Sequence, residues 1–291
     1  MRVSVVTPSF NQGKYLEETI RSVLEQSYPE IEYIIIDGGS RDQSLDIIRK
    51  YENRLAYWQT GKDRNAWDAI NQGWEKSTGE IFCYLNADDV FLENTVQTIV
   101  EKFQQNPNVD VLYGDATAID SNGKQLFPFA SENFDIAKIF RTWEDPIRQP
   151  SSFFRASVFK QYGGTDETYP FCADFEYWIR IAPTSKFLYI PLNLSLVRLH
   201  AETRTATMED VQARELIRLA KQFIDTQQFH DSGVQPKEAL SGAYLRAMMH
   251  FRNAGHKLEA LKSYFHYCRL ALPPVYGLYR FSRFCASLLI K

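Results

Sequence analysis

Short apolar runs alternate with helical apolar patterns through the first 113 residues, and this alternation constrains the fold more than any other feature. Val3 to Thr7 reads as a buried strand, followed by a helix with Leu16, Ile20, Val23 and Leu24 on one face and closed by Pro29. Tyr33 to Ile36 is a second strand, and Leu45, Ile48 and Tyr51 mark the next helix. Leu55 to Trp58 gives a third strand, then Trp67, Ile70 and Trp74 another helix face. Ile81 to Leu85 is the fourth strand, Val96, Ile99, Val100 and Phe103 the fourth helix, and Val109 to Tyr113 the fifth strand. Units of this length argue for an α/β fold with a mostly parallel sheet and helices on both faces. In such sheets the ligand crevice lies beyond the carboxyl ends of the strands.

The residues at those ends are polar. Thr7-Pro8-Ser9-Phe10-Asn11 follows strand one, Asp37-Gly38-Gly39-Ser40 strand two, and Asn86-Ala87-Asp88-Asp89 strand four. Asp37 either accepts bonds from a base or ribose or caps a turn. Adjacent carboxylates at the mouth of a buried strand are costly unless a cation neutralises them. Mg²⁺ or Mn²⁺ carrying a diphosphate fits, because hard cations are held by one or two carboxylates together with substrate phosphates. Asp88-Asp89 therefore points to nucleotide-sugar chemistry.

Composition removes several classes. A net charge of -3 supplies no basic field for nucleic acid. Cys83, Cys172, Cys268 and Cys285 are far apart and form no C-x-x-C pair, so they read as reduced core thiols in a cytosolic protein. Met1 leads directly into a strand, without a secretory signal, and no window holds 18 uncharged apolar residues. A cytoplasmic location follows, with peripheral attachment to the membrane's cytoplasmic face as an alternative.

Several segments resemble family 2 glycosyltransferases of the GT-A fold. They are Val5-Val6-Thr7-Pro8-Ser9-Phe10-Asn11 with Tyr15-Leu16, Ser22 to Pro29, and Ile36-Asp37-Gly38-Gly39-Ser40. The similarity covers residues 1–205 and keeps the family's motif order. It implies inverting transfer of a sugar from a nucleotide diphosphate, a UDP-sugar foremost, to a saccharide or lipid-linked acceptor in polysaccharide or glycolipid synthesis. By that resemblance Thr7, Pro8, Asn11 and Asp37 bind the donor, Asp88 faces ribose and metal, and Asp89 binds the metal directly. The loop Asp63 to Gly73 resembles D-x-G-I-Y-D-A-M-N-K-G, with Asn65 for Gly and Gln72 for Lys. Asn65 is tolerable there because Asn enters left-handed backbone readily. Asp68 and Asn71, three apart on one helix face, join the donor-binding set; their bland alternative is a helix cap and a solvated position.

The second half carries the acceptor side. Ala173-Asp174-Phe175-Glu176-Tyr177-Trp178-Ile179-Arg180 is similar to the family's (E/A)-D-(Y/F)-(E/D)-x-W-x-R, in which Asp174 matches the general base. Gln149-Pro150-Ser151 opens a Q-P-S-x-F-x-R strand and, with Trp178, is expected to wall the acceptor and sugar. Asp166 and Glu167, after Gly163-Gly164, read as a solvated turn. Val197 to Thr205 resembles R-x-H-x-x-S-x-S, which makes His200 a further metal ligand and places Thr203, Arg204 and Thr205 on phosphate.

From about Met208 the pattern is helical only, with Val211, Ile217 and Phe223, then Leu240, Tyr244, Met248 and Phe251, then Tyr264, Tyr267 and Leu270 as successive faces. The expected division is a GT-A domain over 1–205, split into a nucleotide half (1–115) and an acceptor half (116–205), and a helical region over 206–291. Residues 274–291 read either as an interfacial helix on an anionic membrane or as a helix packed on its neighbours or a partner chain. Two rival classes remain: a nucleotidyltransferase, whose usual glycine-rich basic loop after strand one is reduced here to Gly13 and Lys14, and a non-catalytic nucleotide-binding scaffold.

Overall fold

A computed structural model describes residues 1–271, which form two compact units. The first comprises Met1–Phe134, Pro146–Thr168 and Tyr177–His200. Its strands are β1 (Val3–Ser9), β2 (Ile31–Asp37), β3 (Tyr57–Thr60), β4 (Ile81–Tyr84), β5 (Val90–Phe91), β6 (Val111–Ile119), β7 (Gln125–Phe129), β8 (Ser152–Arg155) and β9 (Phe187–Arg198). Helices α1 (Leu16–Leu24), α2 (Ser44–Tyr51), α3 (Ala66–Lys76) and α4 (Thr95–Gln105) alternate with the early strands. The sheet order is β3-β2-β1-β4-β8-β6-β9-β5, with β7 paired to β6.

Every residue of β1 is buried, as is Tyr33 to Asp37 of β2. This explains the unbroken apolar runs: a central parallel strand is covered on both faces and has no reason to alternate. Val3, Val5, Ile20, Val23, Ile35, Ile81, Cys83, Ile99 and Phe103 share one core. Each large aliphatic side chain so buried contributes about 1.5–3 kcal/mol. Cys83, Cys172 and Cys268 are free and buried.

Two details depart from the sequence pattern. The third strand begins at Tyr57 rather than Leu55, because a single 3-10 turn over Glu52–Arg54 extends the chain beyond α2 and leaves Leu55 as its cap. The sheet is parallel from β3 to β4 but mixed beyond. Four pairings are parallel and four antiparallel.

Register positions the site. Val3 stands beside both Ile31 and Ile81, so β1, β2 and β4 end on one edge. Antiparallel β8 starts at that edge, because Phe82 pairs with Phe154. Val90 pairs with Leu196, which brings the residues before β5 against those after β9.

The second unit comprises Asp135–Asp145, Tyr169–Glu176 and the chain from Ala201. It holds α5 (Ile136–Thr142), the first turn of a helix that continues into the first unit (here numbered after α6, Ala156–Tyr162, as α7, Ala173–Ile181), α8 (Arg204–Thr207), α9 (Glu209–Phe223), α10 (Gln227–Asp231), α11 (Pro236–Asn253) and α12 (Lys257–Ala271). Phe140, Trp143, Phe223 and Phe229 form an aromatic core there, and the Trp143 indole donates to the Ala239 carbonyl at 2.9 Å. No helix among the described residues is long and apolar enough to cross a membrane. The C-terminal segment expected to be interfacial, 274–291, lies outside the described residues.

Helix α3 approaches β1 through Gly73, where an added Cβ would sit 2.3 Å from Val6 Cγ1. Gly73→Ala is expected to destabilise the fold by about 1–3 kcal/mol through overpacking. Urea denaturation measures this, and combining it with Val6→Ala should restore part of the loss.

Candidate active site

The loops at the sheet's carboxyl edge interlock. Asp37, 1% exposed, accepts N–H bonds from Gly39 (3.0 Å) and Ser40 (2.9 Å), and hydroxyl bonds from Thr60 (2.7 Å) and Ser40 (2.5 Å). It therefore holds its own turn, in which Gly39 takes φ +86°. Asn11, itself left-handed at φ 52°, donates its N–H to Ser40 Oγ at 2.7 Å and accepts from the Arg41 N–H at 2.9 Å. Pro8 is buried, and Thr7 is buried with its hydroxyl 3.0 Å from the Tyr33 hydroxyl. Asp63 stands against Gly38, and burial, then Asp68 and Asp37, push its carboxyl upward.

Helix α3 opens differently from expectation. Asn65 is extended, at φ -172°, not left-handed, and its side chain caps the helix by accepting from the Trp67 and Asp68 N–H groups. Asp68 accepts the Arg64 N–H at 2.9 Å and its guanidinium at 2.8 Å, which holds the carboxyl below its usual range. Asn71 is half-buried, and its side chain bridges to the loop after Gly164. Its amide donates to Thr165 O (2.9 Å) and Glu167 (3.2 Å), and its oxygen accepts from Thr165 N–H (2.9 Å). Glu167 also pairs with Arg64 at 2.9 Å, so the expected solvated acidic turn is a pinned loop. A Cβ on Gly164 would lie 2.2 Å from Asn71 Oδ1, which accounts for glycine there.

The acidic pair divides its tasks. Asp89 is buried at 3% exposure, accepts the Arg198 N–H at 3.0 Å on one oxygen and the Asn86 amide at 3.1 Å on the other. Burial, and then Asp88, push its carboxyl up to about 8. Asp88 sits in the turn closed by the Asp89 N–H on the Asn86 carbonyl at 3.1 Å, with its Oδ2 3.1 Å from His200 Nε2. The Tyr15 ring lies 5.0 Å from the imidazole. Arg198 clamps this corner: its buried guanidinium donates to the Asp88 carbonyl (3.0 Å) and the Asp120 carbonyl (3.3 Å) and pairs with Glu18 (2.6 Å). Sequence reasoning passed over Arg198; an arginine inside an apolar strand end was the available signal.

These atoms suit a divalent ion. Two donors at ~2.1 Å from one octahedral ion stand ~3.0 Å apart, close to the Asp88–His200 separation. Among the described residues no group of three or more His, Cys, Asp or Glu could hold a metal ion.

Gln149 joins the corner through the Asn86 amide (3.1 Å), while its own amide donates to Tyr84 O (2.8 Å). Pro150 and Ser151 are buried, and the Ser151 hydroxyl donates to Asp115 O at 2.6 Å, beside Ser195 Oγ. Trp178 is 2% exposed among Phe154, Tyr177 and Phe187. Of the expected acceptor wall, Ser151 and Trp178 are core in this unit.

Asp174 and Thr203 to Thr205 belong to the second unit. Asp174 is half-buried in the first turn of α7. Three α9 residues at i, i+3 and i+7 hold the segment leading into that turn. Glu215 accepts N–H bonds from Phe171 (3.0 Å) and Cys172 (2.7 Å), Arg218 lies 3.9 Å over the Tyr169 ring, and Gln222 accepts from the Tyr169 hydroxyl at 2.5 Å. Burial pushes the Glu215 carboxyl upward. Thr203 caps α8, Arg204 is half-buried and Thr205 exposed. The three α9 residues were missed because their partners lie more than 40 residues away.

A parallel half-sheet with an acidic loop at its carboxyl edge is the arrangement of the GT-A fold. Residues 4–163 match Glycosyl transferase family 2, and the chain belongs to that family. An uncharacterized glycosyltransferase of Mycobacterium tuberculosis is 32% identical over 185 residues, 62% of this chain and 68% of the relative. One from Rickettsia typhi is 25% identical over 223 residues, 74% and 70% of the two chains. Among solved structures, S. aureus TarS 1–349 in complex with UDP-GlcNAc aligns with TM-score 0.66 at 17% identity, over 94% of this chain and 82% of TarS 1–349. The Pyrobaculum calidifontis mannosyltransferase in complex with GDP-Man and Mn²⁺ aligns at 0.60 and 18%, over 100% and 81%. At these identities the structural likeness is one of fold. The family makes the protein a glycosyltransferase and sets aside the nucleotidyltransferase and scaffold readings.

Replacing Glu215 by Ala strands two N–H groups at the entrance to α7 and is expected to cost about 1–3 kcal/mol. Glu215→Gln keeps an acceptor and costs less. Because the folded-state carboxyl titrates above its ordinary 4.5, its contribution is full below that pH and is lost as pH rises through the folded value. Melting temperatures recorded from pH 4 upward should therefore decline less in Glu215→Gln than in the parent.

Proposed function

We propose that this glycosyltransferase moves a sugar, with inversion, from a UDP-sugar to a hydroxyl of a saccharide or lipid-linked acceptor, in polysaccharide or glycolipid synthesis. The observation that carries the donor side is the 3.1 Å approach of Asp88 Oδ2 and His200 Nε2 on a loop clamped by Arg198. Relatives of the same fold bind UDP-GlcNAc, and GDP-Man with Mn²⁺, which supports a nucleotide-sugar donor and a divalent ion. In this reading Asp88 and His200 hold Mn²⁺ or Mg²⁺. The sequence resemblance assigned direct coordination to Asp89; we propose Asp88 beside it, because Asp88 Oδ2 faces His200 while each Asp89 oxygen accepts one internal bond. The ion supplies charge neutralisation for the departing diphosphate.

The protein's own residues do the rest. The Asp37 turn and the Asn11 loop present backbone at the nucleoside end, Asp63 and Asp68 flank the same edge, and Thr203, Arg204 and Thr205 offer hydroxyls and charge for phosphate. Asp174 takes the proton of the attacking hydroxyl as its oxygen bonds to the anomeric carbon and the bond to the β-phosphate oxygen breaks. The leaving group carries that electron pair away as nucleoside diphosphate. Displacement in a single step from the face opposite the leaving group inverts the anomeric centre. Gln149, tied to Asn86, lines the sugar end.

Product analysis across UDP-, GDP- and dTDP-sugars with Mn²⁺ should show a released nucleoside diphosphate and a product of inverted configuration; retained configuration would refute the single displacement. Asp174→Asn should lower kcat by about 10²–10⁴ while nucleotide affinity by calorimetry stays at the parental value. Asp88→Ala should abolish Mn²⁺-dependent donor binding, whereas Asp89→Asn, which keeps a polar group in the buried site, should retain measurable Mn²⁺ binding.

A further inference from the structure

The charge of this chain is unevenly distributed. Residues 245–291 carry eight Lys or Arg and one Glu, a net of +7, whereas residues 1–244 carry 25 Lys or Arg against 35 Asp or Glu, a net of -10. The basic stretch contains α12, on which Leu258, Lys262, Phe265 and Arg269 recur at i, i+4, i+7 and i+11. That spacing lines one face of a helix. All four are exposed, Leu258 at 57% and Phe265 at 41%, while Ala260, Ser263 and Cys268 are buried on the opposite side. Helix α11 adds Met249, 46% exposed, three residues before exposed Arg252. A helix that only meets water has no use for large apolar side chains between its cations, and a helix that packs on protein would bury them.

We propose that this face of α12 docks on an anionic lipid surface, with Leu258 and Phe265 entering the acyl boundary and Lys262 and Arg269 meeting the headgroup anions. The alternation of apolar and basic groups matches such an interface. Charge complementarity selects this occupant: a second copy would bring its own basic α12 face against the first, and nucleic acid would leave Leu258 and Met249 without apolar contact. The inference is independent of the donor-site assignments and uses residues outside them. Its consequence for function is that a lipid-carried acceptor and the enzyme would share one surface.

The test is co-sedimentation of the full chain with vesicles of phosphatidylcholine alone and with vesicles that also contain phosphatidylglycerol. Binding is expected only to the second and should fall as salt rises. Lys262→Glu combined with Arg269→Glu should weaken it roughly 30-fold or more. Leu258→Ser combined with Phe265→Ser should weaken it roughly tenfold, with circular dichroism and melting temperature showing that the variants fold. Equal binding to both vesicle types would overturn the proposal. So would binding that ignores all four α12 substitutions yet vanishes on deletion of residues 274–291. A sedimentation-velocity dimer that Leu258→Ser and Phe265→Ser dissociate would overturn it in favour of a second copy, and RNA that displaces the protein from neither vesicle nor buffer controls supports the lipid assignment.

Discussion

Two adjacent carboxylates end a buried strand here, and the Arg198 clamp gives them different partners. Asp89 is drawn inward, where the Arg198 N–H and the Asn86 amide occupy its oxygens. The same arginine holds the carbonyl of Asp88 and leaves the Asp88 carboxylate turned toward His200. Without the clamp two anions would repel across a short loop at a buried strand end. With it, one carboxylate secures the loop and the other faces His200. The guanidinium itself is buried, and three oxygen acceptors, one of them the charged Glu18, offset its desolvation.

The surrounding loops show the same economy of structure. Asp37 spends its hydrogen bonds on its own turn and Thr60, whereas Asn11, Asn71 and Glu167 spend theirs on neighbouring loops. Such cross-bracing fixes the relative positions of the loops at this edge. In the second unit, Glu215, Arg218 and Gln222 brace the segment entering α7 in a comparable way. The helical region is thus tied to the segment that carries Asp174.

Much of the fold was legible because burial on both faces turns a central strand into an unbroken apolar run. The positions of β1, β2 and β4, and the helix faces around Ile20, Ile48 and Ile99, follow directly from that pattern. Edge strand β3 starts two residues later than the pattern placed it, because a 3-10 turn is a local choice that periodicity does not encode. The antiparallel pairings of β8 depend on contacts between distant segments, so alternation alone overstated the parallel share. At the site, chemistry by residue type was readable, but orientation was not. Asp88 and Asp89 look equivalent in a string of letters, and only the folded turn shows that Asp88 meets His200 and Asp89 the Arg198 N–H. Asn65, expected in left-handed backbone, caps α3 from an extended conformation because its side chain can reach two orphan N–H groups.

The most direct measurement of the central claim is pulsed electron paramagnetic resonance of Mn²⁺ bound with UDP to protein carrying ¹⁵N-histidine. The account predicts a nitrogen hyperfine coupling from one imidazole that disappears in His200→Asn. A Mn²⁺ spectrum with no histidine coupling in the parent protein, in the presence of UDP, would contradict it.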